Sequence, residues 1–149
     1  MYEDYLNYSK EELIELLCDC GIAPKCRSSS DLWQCLKKYG KREQEHFGVV
    51  VLNSSNMILK VQVVSIGLVN RTLVHPREVF RPTLSSNGSA VVVFHNHPSG
   101  NLMPSGEDLE VTDRLKEAGE LLGIQLMDHL ILGRGGYRSM REEQDFCFV

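Results

Sequence analysis

The apolar positions change their spacing along the chain, and the change divides it. In the first forty residues they form short helical stripes. Leu13, Ile14, Leu16 and Leu17 make one, opened by Ser9 and Glu12 at the spacing of a capping box. Leu32, Trp33 and Leu36 make another, after the polar run Ser28-Ser29-Ser30, and Gly40 is expected to stop it. Two helices this short cannot bury their own apolar sides, so the pair is expected to rest on the main domain or on a partner.

From residue 45 the texture is that of strands. Residues 47–52 are continuously apolar, as in a strand covered on both faces. Asn53-Ser54-Ser55-Asn56 is a turn signal, and residues 57–66, rich in Val and Ile, complete a hairpin. Pro76 suits the first turn of a helix through Val79 and Phe80, which Pro82 is expected to bend or end. Residues 89–94 read as a third strand. A loop with Pro98, Gly100 and Pro104 leads to a helix carrying Val111, Leu115, Ala118 and Leu122 on one face, closed by Gly123. Residues 124–132 and 137–140 read as two last strands around a glycine-rich turn. The predicted fold class is α+β: a mixed sheet flanked by helices, with a short helical segment at 1–40 before a domain at 41–149.

Composition narrows the class. The chain has 149 residues, 42% hydrophobic and 24% charged, which suits one globular domain and excludes a disordered or fibrous one. No apolar run approaches the ~18 residues of a membrane span, and the polar start MYEDYLNYSK is unlike a signal peptide, so the cytoplasm is expected. Sixteen basic and twenty acidic residues give a net charge of −4 with no basic stripe, which disfavours nucleic acid as a partner. Five cysteines in such a chain predict no disulfide framework. Four of them, Cys18, Cys20, Cys26 and Cys35, fall in the first forty residues. Reduced thiols and a zinc cluster both remain open there, although the spacing matches no strong zinc pattern.

The chemistry concentrates in His95-Asn96-His97-Pro98-Ser99-Gly100 and on to Asp108. In a strand, residues i and i+2 point the same way, so His95 and His97 can reach one point at the end of the third strand. Ser105 is expected to cap the following helix, with Asp108 at its third position. Two imidazoles and one carboxylate suit a zinc ion that keeps a position open for water. Each residue alone has a structural reading, as a core, turn or helix-start residue; the set together points to a metal.

The run H-N-H-P-S-G with Ser105 and Asp108 resembles the JAMM motif, H-x-H-x7-S-x2-D, of the JAB/MPN metalloprotease superfamily. His75-Pro76-Arg77-Glu78-Val79-Phe80 and Asp128-His129-Leu130-Ile131-Leu132-Gly133 resemble its RadC-like branch more narrowly, and the likeness covers residues 42–140. It implies a JAB/MPN-like (cytidine deaminase-like) fold and a zinc ion, Zn(2+), held by His95, His97 and Asp108, with water as fourth ligand. It also implies Glu45 as general acid/base and Ser105 as an oxyanion-stabilising residue. Ser99 is a further hydroxyl near the site. His129 is either a partner of a metal ligand or structural, and His46 is expected to point away from the metal. Glu43 and Glu78 are rival carboxylates.

The expected activity is metal-assisted hydrolysis of an amide, with a peptide or protein as partner. The alternative is a non-catalytic or accessory metal-binding module linked to DNA repair or mobile elements; a metal-dependent nuclease would need a phosphate-binding surface. RadC-like proteins commonly carry an N-terminal helix-hairpin-helix-like module. Residues 1–40 lack its glycine-centred hairpin, so DNA binding does not carry over. The short gaps also argue against a ubiquitin substrate. Glu45 serves its role only if the strands at 47–52 and 89–94 run antiparallel as neighbours.

Overall fold

The computed structural model describes residues 8–9, 12–13, 16–17, 25–67 and 74–149. A first helix, α1 (Ser29–Gly40), precedes the strands β1 (His46–Leu52) and β2 (Ile58–Ile66). Then come α2 (Pro76–Ser85), β3 (Ala90–Asn96), α3 (Gly106–Leu122), β4 (Gln125–Leu132) and β5 (Tyr137–Ser139). The strands form one mixed sheet in the order β2-β1-β3-β4-β5. β1 pairs antiparallel with both β2 and β3, β3 pairs parallel with β4, and β4 pairs antiparallel with β5.

Side-chain alternation along β1 and β3 divides the core. Phe47, Val49, Val51, Val91 and Val93 face α2 and α3, where they meet Val79, Phe80, Val111 and Leu115. Val50, Leu52, Val92 and Phe94 face the other way, against Leu32, Cys35 and Leu36 of α1. Both faces are thus covered, as the continuous apolar run of β1 requires. The helix at 29–40 rests on the sheet itself, and Trp33 stacks on Tyr137 with ring centroids 5.4 Å apart. Gly40 is the last residue of that helix, and space requires glycine there: a Cβ would lie 2.0 Å from the carbonyl oxygen of Gly133.

Several local expectations have a direct physical counterpart. The Ser9–Glu12 capping box is formed in both directions, at 2.6 and 3.2 Å. The 53–56 turn closes with Asn56 at φ 60, and Gly123 caps α3 at φ 70. Of the two expectations for Pro82, that it bends or ends the helix, the ending does not occur. α2 continues past it to Ser85, because Val79, Phe80, Pro82 and Thr83 are all buried and their packing outweighs the missing hydrogen bond. The reduced-thiol expectation also fails at Cys35, which is disulfide-bonded within the packed face of α1, whereas Cys26 and Cys147 are free. Cys18, Cys20 and Ile14 lie outside the described residues. Among the described residues, no helix is long and apolar enough to cross a membrane.

Candidate metal centre

The alternation that places Val91 and Val93 toward α2 and α3 continues into His95 and His97. β3 runs through Asn96, so His95 is still a strand residue and fully buried, while His97 stands just beyond the strand end. α3 starts opposite them. Ser105 Oγ accepts from the Asp108 amide at 3.1 Å, and Asp108 Oδ2 accepts from the Ser105 amide at 2.8 Å, a closed capping box. That box aims the Asp108 carboxylate at the strand end. Its Oδ1 lies 3.1 Å from His95 Nε2 and its Oδ2 lies 3.2 Å from His97 Nε2, with the two Nε2 atoms 2.8 Å apart.

Hydrogen-bond direction tests whether these residues fit a metal. His97 Nδ1 donates to the Asn101 carbonyl at 2.5 Å, because a carbonyl only accepts. The neutral ring therefore turns a lone pair at Nε2 toward a second imidazole nitrogen and a carboxylate oxygen. Acceptors facing acceptors this closely repel unless a proton or a cation stands among them. Asp108 is pushed up by burial, but its contacts with His95 and His97 outweigh that and hold its carboxyl well below the usual range. The His97 imidazole is correspondingly raised, chiefly by its hydrogen bond with Asp108. A proton or a cation at the point of convergence relieves that repulsion, and the two compete for it. The three ligand atoms lie within 4.8 Å of one another, the one metal-ready group among the described residues.

Glu45 immediately precedes β1. In the antiparallel register Phe47 pairs with His95, which brings the start of β1 beside the end of β3. Glu45 lines an open pocket of about 650 Å³ together with His97, Ser105, Asp108, Glu43 and Glu107. Ser105 faces the pocket while serving as the cap. Ser99 also lines it, and its hydroxyl accepts from the Asn101 amide at 3.3 Å. Glu78 pairs with Arg77 and Arg81 on the surface, away from this pocket. His75 is the N-cap position of α2 and makes no side-chain cap bond. His46 lies against Tyr39 of α1, on the opposite face of the sheet.

His129 has a partner of consequence. Parallel pairing sets Val93 against His129, and His129 Nε2 lies 2.7 Å from His95 Nδ1. Burial, with the electrostatic influence of neighbouring His95 second, holds the His129 imidazole well below its ordinary value, which favours the neutral ring.

Two residues escaped sequence reasoning. Asn96, buried between the two histidines, donates from Nδ2 to the carbonyls of Arg42 (3.1 Å) and Gln44 (3.0 Å). Its Oδ1 accepts from the His46 amide at 2.6 Å. This side chain grips the backbone on both sides of Glu45. Thr112 donates to the Asp108 carbonyl and meets His129 Nδ1, each at 2.6 Å. The available signal for both was a polar residue at a fully buried position of a strand or a helix stripe.

The family model for the RadC-like JAB domain matches residues 26–145. A UPF0758 protein of Staphylococcus haemolyticus is 46% identical over 123 residues, covering 82% of this chain and 54% of that protein. One of Methanococcoides burtonii is 43% identical over 120 residues, covering 80% of this chain and 52% of that protein. One of Clostridium kluyveri is 50% identical over 101 residues, covering 68% and 44% respectively. The chain spans about half the length of the curated relatives it matches. With the match beginning at residue 26 and running through both histidines, Asp108 and His129, the chain belongs to the RadC-like JAB domain family, within the JAB/MPN superfamily.

Proposed function

We propose that the protein is a zinc-dependent hydrolase, a metallopeptidase or isopeptidase that acts on a peptide or protein. The observation that carries this reading is the antiparallel pairing of β1 with β3, which brings Glu45 to the pocket that holds His97, Ser105 and Asp108. His95, His97 and Asp108 would hold the ion; two imidazoles and a carboxylate suit zinc better than calcium or magnesium. A bound zinc ion lowers the pKa of water from about 15.7 toward roughly 7 and polarises a carbonyl. The Glu45 carboxylate takes the proton of the attacking water and returns it to the leaving amine. The Ser105 oxygen accepts the Asp108 amide, so its own proton is left to stabilise an oxyanion in the pocket. Glu43, Glu45 and Glu107 around the mouth repel a phosphodiester, which favours an amide over nucleic acid as substrate.

The test is cleavage of complex peptide mixtures, read by mass spectrometry as new amino termini. Zinc-loaded wild type is expected to generate them, and Glu45→Gln to keep its zinc but lose rate by about 10²–10⁴-fold. Zinc-dependent cleavage that persists in Glu45→Gln would remove Glu45 from its role. No zinc-dependent cleavage of amide or isopeptide bonds would overturn the hydrolase reading.

A further inference from the structure

We propose that Thr112 and His129 are positioning residues that fix the ring tautomer of His95, so that its Nε2 lone pair faces the metal. This rests on the metal-site reading above and extends it to residues that touch neither metal nor substrate.

The inference follows from counting protons along one buried chain. Thr112 Oγ1 has a single proton, and the Asp108 main-chain carbonyl, 2.6 Å away, can only accept it. Toward His129 Nδ1, also 2.6 Å away, Thr112 must therefore be the acceptor. His129 then carries its proton on Nδ1 and offers a lone pair at Nε2. His95 Nδ1, at 2.7 Å, must donate to it. A neutral His95 with its proton on Nδ1 has a lone pair on Nε2, the atom that faces His97 Nε2 and Asp108 Oδ1. The direction cannot reverse, because the carbonyl at the far end has no proton to give.

His95, Thr112 and His129 are all fully buried, so water offers no competing partner. Three separate elements supply the links. Thr112 lies one helical turn after Asp108 on α3, His129 is on β4, and His95 is on β3. The parallel register that sets Val93 against His129 holds the middle link beside the strand end. The chain also closes on itself: Asp108 contributes a carboxylate to the site and, through its own main-chain carbonyl, the terminus that orients another ligand. A metal-bound histidine whose second nitrogen donates to a fixed acceptor is a better and better-aligned ligand.

The experiment compares wild type with Thr112→Val, which keeps the branched shape and loses the hydroxyl, and Thr112→Ser, which keeps the hydroxyl. Nitrogen-15 NMR of the imidazoles in metal-free protein reads the tautomer. Zinc affinity is read by competition with a chromophoric chelator. Wild-type His95 and His129 are expected to be protonated on Nδ1. Thr112→Val is expected to mix the His95 tautomers and bind zinc about 10–100-fold more weakly, with Thr112→Ser close to wild type. Wild-type His95 without a proton on Nδ1, or Thr112→Val binding zinc as tightly as wild type, would overturn the proposal. Should Thr112→Val not fold, the wild-type tautomer and the Thr112→Ser affinity still decide. Neither readout needs a substrate, so a protein without hydrolase activity would sink the proposed function and leave this test standing. A protein that takes no zinc would still be judged by the tautomer.

Discussion

The two faces of the sheet both bury polar groups carried by β3 and β4, yet they use them differently. On the face turned to α2 and α3, His95, His129 and Thr112 bond side chain to side chain, and the row ends where lone pairs of His95, His97 and Asp108 converge. On the α1 face, Asn96 bonds only to main-chain groups of residues 42, 44 and 46. Asp128 accepts from the amides of His129 and Arg141 and from the Ser139 hydroxyl. That second set is closed, each acceptor matched by a donor, and it holds segments in place. The first is open at one point, and an open point among buried acceptors is where a cation fits.

Removing the open end is the largest test. His95→Ala with His97→Ala is expected to take zinc from about one per chain to none, by elemental analysis of folded protein. Retained zinc would mean that the metal lies elsewhere. On the closed side, Asn96→Asp keeps the acceptor for His46 but sets a carboxylate against two carbonyls. A loss of about 1–3 kcal/mol for each unmatched group is expected in chemical denaturation. Zinc is expected to stay bound, because Asn96 grips the Glu45 segment and not the ligands. Zinc lost together with stability would dissolve the distinction between the two faces.

The smallest effect concerns Asp128. Burial pushes its carboxyl up, against the opposing bonds from Ser139, Arg141 and His129. Its proton is therefore held more tightly folded than unfolded. The associated stability is complete below the unfolded carboxyl range and is lost as pH rises through the raised folded value. Asp128→Asn, which never ionises, is expected to remove that component of the pH dependence. The check is the difference in denaturation midpoint between wild type and variant across acid to neutral pH, expected to shift in favour of the variant. An unchanged difference would show that Asp128 ionises as easily in the fold as out of it.

Much of the frame was legible because it rests on local pattern. Alternation in β3 put His95 and His97 on one side, and the spacing of Ser105 and Asp108 announced a capped helix start. What escaped depends on partners distant in sequence. Nothing local marks the role of Asn96, which depends on the carbonyls of Arg42 and Gln44, more than fifty positions away. Local pattern left His129 between two roles; the β3/β4 register, which no local window contains, brings it against His95. That α2 does not end at Pro82 has the same cause, since the buried core around Val79, Phe80 and Thr83 carries the helix past it.

The capping box at residues 105–108 has a consequence for the chain's freedom to vary. Asp108 caps the start of α3 through Oδ2, and the same carboxylate turns Oδ1 to His95 and Oδ2 to His97 in the candidate metal centre. Asparagine there could keep much of the cap but would surrender the charge; glutamate would keep the charge but move the oxygens outward by one methylene. A substitution at this position must therefore satisfy the helix and the site at once. Of the three, aspartate is the one that meets both demands.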